Sequence, residues 1–191
     1  MAKGVKGVTE MSDKKDKPRS NMDFRIMSLF FTIRDVFRNP IKLLEKVDIK
    51  EGQFVLDFGC GPGSYVIPTA RIVGEKGRIY ALDIHPLAVK TVEKKVRKLG
   101  LANVTTITSD RDTGLPEESI DAVLLYDAIQ AITDKEELLK ELHRVTKPNG
   151  LLSILVDHIK VEDVVDIAEK DGLFSIRDRH GKLLNFVKKK I

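Results

Sequence analysis

The amino-acid sequence predicts an α/β protein with one mainly parallel sheet that is covered by helices on both faces. Two observations carry this prediction. Short apolar runs of strand length alternate with amphipathic segments of helix length over most of the 191 residues. The first apolar run also breaks into glycines at alternate positions, Gly59, Gly61 and Gly63, before a helical segment begins. This pattern indicates a ligand loop at the carboxyl end of a buried strand.

The chain begins with a segment that has little to bury. Residues 1–20 are rich in Gly, Lys, Asp and Ser, which predicts a disordered leader. From Met22 to Phe37 apolar residues recur at helical spacing until Asn39-Pro40 ends the pattern, and Ile41 to Val47 predicts a second short helix. We therefore expect residues 21–191 to form a single domain that opens with two helices.

The strands and helices after these two helices are bounded by turn residues. The predicted strands are Gln53–Phe58, Arg78–Leu82, Val104–Thr108, Ile120–Tyr126, Leu151–Val156, Leu173–Arg179 and Lys182–Val187. The predicted helices are Tyr65–Val73, Pro86–Leu99, Asp134–Arg144 and Val161–Lys170. Only His180-Gly181 joins the last two predicted strands, which leaves no room for a crossover helix. The final strand should therefore run antiparallel.

Composition excludes several classes of site. Cys60 is the only cysteine, so an internal disulfide or a multi-cysteine zinc site is excluded, and the four histidines form no pair with metal-ligand spacing. No apolar run approaches the roughly 20 residues of a membrane-spanning helix, and no secretory signal is recognisable. We expect a cytoplasmic protein without a membrane span or a metal. The formal net charge of +4 resides mainly in the tails, which leaves RNA open as a partner.

Acidic side chains follow the predicted strands at the edge where the glycine loop lies. Asp83 closes the second strand, where a carboxylate suits the hydroxyls of a ribose, and Asp110 follows the third strand, where it can accept from an exocyclic adenine amine. Dinucleotide sites use a ribose acid as well, so Asp83 alone leaves a nicotinamide-dependent oxidoreductase open. The loop, however, reads GxGxG. Ser64 stands where the dinucleotide fingerprint GxGxxG has its third glycine.

Four stretches in order, VLDFGCGPGSY, YALDIHPLAV, TSDRDTGLPEESIDAVLLYDAIQAI and LKELHRVTKPNGLLSI, resemble the class I S-adenosylmethionine-dependent methyltransferases. The resemblance covers most of Lys50 to Asp157. It implies a Rossmann-like, doubly wound, seven-stranded sheet in the order 3-2-1-4-5-7-6 with strand 7 antiparallel. It also implies S-adenosyl-L-methionine as cofactor and the N-terminal helices, about 22–47, as a lid over the site. The nearest subgroup resembles the compact enzymes of ubiquinone and menaquinone synthesis and of arsenite methylation, although the single Cys60 argues against arsenite.

The resemblance assigns roles to individual residues. The expected cofactor-binding residues are Asp57, Gly59, Cys60, Gly61, Gly63, Asp83, Ile84, Asp110 and Arg111. The expected catalytic residues are Asp127 as first candidate for a base, Tyr126, and His158 after the fifth strand. Many family members carry His where this chain has Gln130.

The function expected from this resemblance is methyl transfer from S-adenosylmethionine to a small molecule by in-line displacement. Three alternatives stay open at this point. They are an RNA methyltransferase, a non-catalytic module that only binds S-adenosylmethionine, and the nicotinamide-dependent oxidoreductase.

Overall fold

The computed structural model describes residues 16–37 and 39–190. The helices are α1 (Asn21–Phe37), α2 (Pro40–Leu44), α3 (Val66–Val73), α4 (Pro86–Leu99), α5 (Lys135–Val145) and α6 (Val161–Glu169). The strands are β1 (Phe54–Phe58), β2 (Arg78–Asp83), β3 (Val104–Thr108), β4 (Ile120–Tyr126), β5 (Thr146–Leu155), β6 (Phe174–His180) and β7 (Leu183–Lys188). Short 3₁₀ turns cover Ile129–Ala131 and Lys170–Gly172.

All seven strands form one sheet in the order β3-β2-β1-β4-β5-β7-β6. The pairs among β1 to β5 are parallel, whereas β7 is antiparallel to both β5 and β6. The strand order and the antiparallel seventh strand expected from the sequence are thereby confirmed. The order reverses between β1 and β4, so the carboxyl ends of these two strands flank the crevice where a doubly wound sheet binds its ligand.

Two apolar cores cover the two faces of the sheet. One core packs the buried leucines of α5 and the inner side of α6 against β4, β5 and β7. The other packs α2, α3 and α4 against the opposite face of β1, β2 and β4. The central strands are buried on both faces, which explains why they read as continuous apolar runs rather than as alternating patterns.

Local signals fix the ends of the helices as their residue types predict. His85 caps α4 by accepting from the Leu87 amide, Pro86 occupies the first turn, and Gly100 ends the helix at a left-handed φ of 65°. Asp134 caps α5 by accepting from the Glu137 amide. These caps place the amino end of α4 beside the crevice.

The largest difference from a predicted boundary is at the start of β5. The residues Lys147 to Gly150, which lie between the predicted helix Asp134–Arg144 and the predicted strand Leu151–Val156, form part of β5, which begins at Thr146. Asn149 has φ of 61°, and the pairing with β4 shifts its register between Ile120 and Ala122. A bulge therefore absorbs the turn residues without ending the strand.

The part of the chain before α1 was predicted to be a disordered leader. Residues 1–15 lie outside the described residues. Residues 16–20 have no regular secondary structure but contact the domain, because the Asp16 carboxylate accepts from the Thr133 amide at 3.2 Å. Among residues 16–37 and 39–190, no helix combines the length and apolar character needed to cross a membrane.

Candidate functional site

A cavity of about 590 Å³ lies at the carboxyl ends of β1, β2 and β4. The glycine loop forms its floor, and residues 16–19 together with the inner side of α1 form its cover. Phe24, Phe30 and Phe31 of α1 line it, as does Gln130 after β4. The role of the first helix as a lid over the site stays a prediction.

The glycine loop is held against β2 by its own backbone. The amides of Gly59 and Cys60 both donate to the Leu82 carbonyl, at 2.8 and 2.9 Å. Gly59 has φ of 77°, and a Cβ there would approach the Ala128 Cβ to 2.7 Å. Gly63 has φ of 87°, and its Cβ would meet Val92 at 3.0 Å. Glycine is therefore required both for the turn and for the close packing of the loop between β4 and α4.

Asp83 stands at the end of β2 as the sequence predicts, and its carboxylate orders the loop. One oxygen accepts from the Gly61 amide at 2.9 Å, and the other accepts from the His85 amide at 2.7 Å. Burial raises the pKa of Asp83, while these two hydrogen bonds act in the opposite direction. Because each carboxylate oxygen has a second lone pair, Asp83 keeps acceptor capacity for two hydroxyl groups of a ligand.

Asp57 is the most deeply buried acid of the site, with 2 % of its surface exposed. Its Oδ2 atom is buried without a hydrogen-bond partner. Burial, with a smaller contribution from the Asp83 charge, raises the pKa of Asp57 to about 8. The Asp57 carboxyl therefore keeps its proton at neutral pH, because burial disfavours the charged form.

Cys60 lies inside the loop as a buried neutral thiol. Burial raises its pKa well above the ordinary value, and the nearby acids Asp57 and Asp83 raise it further. Its Sγ atom donates to the Gly61 carbonyl at 3.8 Å. A thiol in acidic and apolar surroundings is a poor nucleophile, so Cys60 contributes packing to the cofactor loop.

Ile84 and Asp110 both line the cavity, and their positions beside an adenine stay a prediction. Arg111 is occupied elsewhere. Its guanidinium lies 3.4 Å from the Asp134 carboxylate, and its amide donates to the Asp110 carboxylate at 2.8 Å. The role of Asp110 and Arg111 as a pair on the adenine edge stays a prediction, with the Arg111 amide engaged by Asp110 in this structure.

The Tyr126 ring lines the cavity, but its hydroxyl belongs to a buried polar chain. The hydroxyl lies 3.0 Å from Ser153 Oγ, which donates to the Asn185 side chain at 2.7 Å. Burial raises the pKa of Tyr126 above its ordinary value, and the ring packs edge-on against Tyr65. The catalytic role of Tyr126 stays a prediction.

Asp127 follows β4 and has φ of 56°. Its two carboxylate oxygens have different environments. Oδ2 forms an ion pair with Arg34 of α1, whereas Oδ1 is buried without a hydrogen-bond partner. The Arg34 guanidinium also stacks over the Phe31 ring at 4.5 Å. Arg34 thus joins the covering helix to the residue predicted to act as base, a contact that the sequence analysis did not anticipate.

His158 lies at the edge of the cavity, with its side chain 83 % exposed. Its Nε2 atom is 3.4 Å from Asp157 Oδ2, and Lys182 binds the other oxygen of the same carboxylate at 3.1 Å. The predicted catalytic role of His158 stays a prediction, and the exposure places its ring near solvent.

The cover is anchored to the glycine loop through His85. The His85 Nε2 atom contacts the Arg19 carbonyl at 3.0 Å, and the Phe24 ring stacks on the imidazole at 4.5 Å. Because His85 Nδ1 accepts from the Leu87 amide, Nε2 carries the proton and donates to Arg19. Nothing in the sequence indicated the link between His85 and Arg19.

These features fit the cofactor that the resemblance implies. S-adenosylmethionine carries a ribose, and the lining of the cavity includes Asp83, whose carboxylate keeps lone pairs for the ribose hydroxyls. Asp57 does not line this cavity, so its role in cofactor binding stays a prediction. The volume is within the range of small-molecule sites. Among the described residues no cluster of three or more metal-ligating side chains occurs.

Comparisons with known proteins agree with this geometry. A family described as "Methyltransferase domain" matches residues 49–172. A demethylmenaquinone methyltransferase of Geobacillus stearothermophilus is 33 % identical over 60 % of this chain and 51 % of its own length. A ubiquinone/menaquinone biosynthesis C-methyltransferase of Cronobacter sakazakii is 30 % identical over 71 % of this chain and 55 % of its own length. The chain spans about half the length of these curated relatives.

A solved structure covers more of both chains. The crystal structure of a SAM dependent methyltransferase from Aquifex aeolicus superposes with a TM-score of 0.68 at 30 % identity. The match includes 78 % of this chain and 87 % of that one. The glycine loop, β2 with Asp83, and β4 with Asp127 all lie within residues 49–172, the part that the family match covers.

Proposed function

Since this chain belongs to the methyltransferase-domain family, whose solved relative is S-adenosylmethionine-dependent, we propose that it methylates a small molecule with S-adenosyl-L-methionine as cofactor. We further propose that the acceptor is a hydroxylated aromatic ring of the quinol type. The names of the curated relatives support this acceptor class, since they act in menaquinone and ubiquinone synthesis. An RNA acceptor is not favoured by these relatives, and the cytoplasmic location stays a prediction.

The residues that would hold the cofactor are those of the glycine loop and the two acids beside it. Asp83 lines the cavity and offers lone pairs to a ribose. Asp57 stays a proposed cofactor residue although it is buried and does not line the cavity. Bound S-adenosylmethionine supplies a methyl group that is already activated by its sulfonium. The protein therefore contributes mainly positioning, exclusion of water and control of one proton.

The observation that carries the proposal is the buried, unpartnered Oδ1 of Asp127. It lies in a residue that lines the cavity, while Arg34 holds the second oxygen and thereby fixes the orientation of the carboxylate. A ring hydroxyl beside Oδ1 would donate its proton there. The resulting phenolate has higher electron density at the neighbouring ring carbon, which is the atom that would receive the methyl group as S-adenosylhomocysteine leaves. That ring carbon then loses its own proton to solvent, which restores the aromatic ring, and Asp127 returns the first proton to the ring oxygen.

The test measures S-adenosylhomocysteine formed by the full chain from S-adenosylmethionine and a reduced, short-chain demethylnaphthoquinone. Product analysis by NMR identifies the methylated atom. Asp127→Asn should lower turnover by about 10²- to 10⁴-fold, because it removes a general base. Its affinity for S-adenosylhomocysteine should stay nearly unchanged.

The matched control is Asp163→Asn, an exposed acid of α6, which should leave turnover unchanged. Turnover of Asp127→Asn equal to that of the unaltered protein would remove Asp127 as the base. Cofactor binding without transfer to the quinol or to any member of a metabolite or RNA pool would instead support the non-catalytic binding module.

A further inference from the structure

The outer face of α1 is apolar and exposed. Five of its side chains, which we call the outer stripe, are between 54 % and 64 % exposed, namely Met22, Ile26, Leu29, Phe30 and Ile33. Their spacing of four, three, one and three residues places them on one side of the helix. A contiguous exposed patch of large apolar residues more often belongs to an interaction surface than to a surface that only faces solvent.

The inner side of the same helix is apolar as well. Phe24 is buried, and Met27 and Phe31 line the cavity with Arg34. A helix that is apolar on both sides is ordinarily buried on both sides. The inner side of α1 already has its partner in the domain, so the outer stripe requires a second partner.

The charge of the surrounding chain indicates what this partner is. Residues 1–47 contain eleven Lys or Arg and six Asp or Glu, whereas residues 48–191 contain 22 and 23. The positive charge of the protein is therefore concentrated in the segment that bears the outer stripe. Lys17, Arg19, Arg25 and Lys42 of this segment are exposed. Apolar side chains flanked by cations are typical of helices that lie on anionic membrane surfaces.

A second copy of this chain fits the same face less well. Two copies joined through their outer stripes would bring Arg25 and its basic neighbours of each copy close to those of the other. Like charges at an interface oppose association, whereas anionic headgroups would neutralise them.

The outer stripe also meets the mouth of the cavity. Phe30 belongs to both, since it lines the cavity and is 63 % exposed. We infer that α1 docks this protein on an anionic lipid bilayer through the outer stripe, so that an apolar acceptor enters the cavity from the membrane side. The entry of the acceptor rests on the proposed function, but the docking itself does not.

The test is cosedimentation of the full chain with phosphatidylcholine vesicles that contain either no anionic lipid or roughly one third phosphatidylglycerol. The protein should bind the anionic vesicles, and added salt should weaken binding. The double variant Ile26→Gln and Leu29→Gln should bind roughly a hundredfold more weakly. Arg25→Gln should bind about fivefold more weakly.

The matched control replaces two exposed apolar residues elsewhere, Leu99→Gln and Ile176→Gln, and should bind vesicles as the unaltered protein does. All variants should keep their affinity for S-adenosylhomocysteine, which shows that the domain is folded. Absence of vesicle binding, or equal binding by the stripe variant and the control, would overturn the inference. A dimer in sedimentation velocity that the stripe variant dissociates, without vesicle binding, would assign the face to a second copy.

The two proposals fail separately. Turnover of a water-soluble quinol without vesicle binding would overturn the docking alone. Vesicle binding by a protein that transfers no methyl group to any acceptor would overturn the proposed function alone.

Discussion

The buried carboxyl of Asp57 makes the stability of the protein depend on pH in a way that one substitution can isolate. Its pKa is about 8 in the folded protein, against an ordinary value of 3.8. Between these values the unfolded chain is ionised at Asp57 while the folded protein holds the proton. The contribution of Asp57 to the free energy of unfolding is therefore fully present below about pH 3.8. It decreases as the pH rises and is lost above about pH 8.

Asp57→Asn removes this titration. Each pKa unit corresponds to about 1.4 kcal/mol, so the advantage of the variant should grow by about 1.4 kcal/mol per pH unit between pH 5 and 7. It should level off above about pH 8, after a total rise of about 4 kcal/mol from pH 5 to 9. A constant offset from the amide group does not affect this slope.

Urea unfolding of both proteins at five pH values measures the difference in the free energy of unfolding. The other titrating groups are shared and cancel in the difference. Asp163→Asn, which replaces an exposed carboxyl of α6 by the same amide, serves as the matched control. A difference for Asp57→Asn that stays within about 0.5 kcal/mol from pH 5 to 8 would refute the burial argument.

Three further outcomes follow from the loop and from β4. Asp83→Ala should weaken S-adenosylhomocysteine binding by several-fold to about a hundredfold in calorimetric titration, since ribose acceptors are lost, and unchanged affinity would contradict this placement. Gly59→Ala should lower the free energy of unfolding by about 2 to 4 kcal/mol, because of φ and the contact with Ala128. Gly52→Ala, at φ of 83° with open space around it, should lower the free energy of unfolding by only about 1 to 2 kcal/mol. Equal losses for the two variants would show that the contact with Ala128 does not contribute. Tyr126→Phe should cost about 1 kcal/mol in stability while turnover stays within threefold, and a large fall in turnover would restore the hydroxyl to catalysis.

The sequence was sufficient for the parts of the site that depend on local pattern and topology. Strand and helix alternation predicted the sheet, and parallel strands bring their carboxyl ends to one edge. Gly59, Gly63 and Asp83 could therefore be placed together although more than 20 residues separate the loop from Asp83. Their residue types carry the signal, because a left-handed φ combined with close packing favours glycine, and a carboxylate at a strand end can accept from ligand hydroxyls.

Contacts between side chains that no pattern links were out of reach. Arg34 and Asp127 are 93 residues apart in the chain, and their meeting depends on how α1 packs over the cavity. The pairing of Arg111 with Asp134 depends in the same way on the approach of α5 to the loop after β3. An arginine on an apolar helix was the available signal for Arg34, but nothing in the sequence identified its acid.

The polar chain behind Tyr126 also specifies which residues of β7 lie opposite β5. Asn185 pairs with Ser153 across the antiparallel strands, and its amide donates to the Lys46 carbonyl and to Asp178. A slip of β7 by one residue would turn Asn185 to the opposite face of the sheet and would present Leu184 or Phe186 to Ser153 and the Lys46 carbonyl. Such a slip leaves several buried polar groups unpaired at once. Asn185 thus selects a single alignment of the C-terminal hairpin, and it does so from beneath the tyrosine that forms the wall of the active cavity.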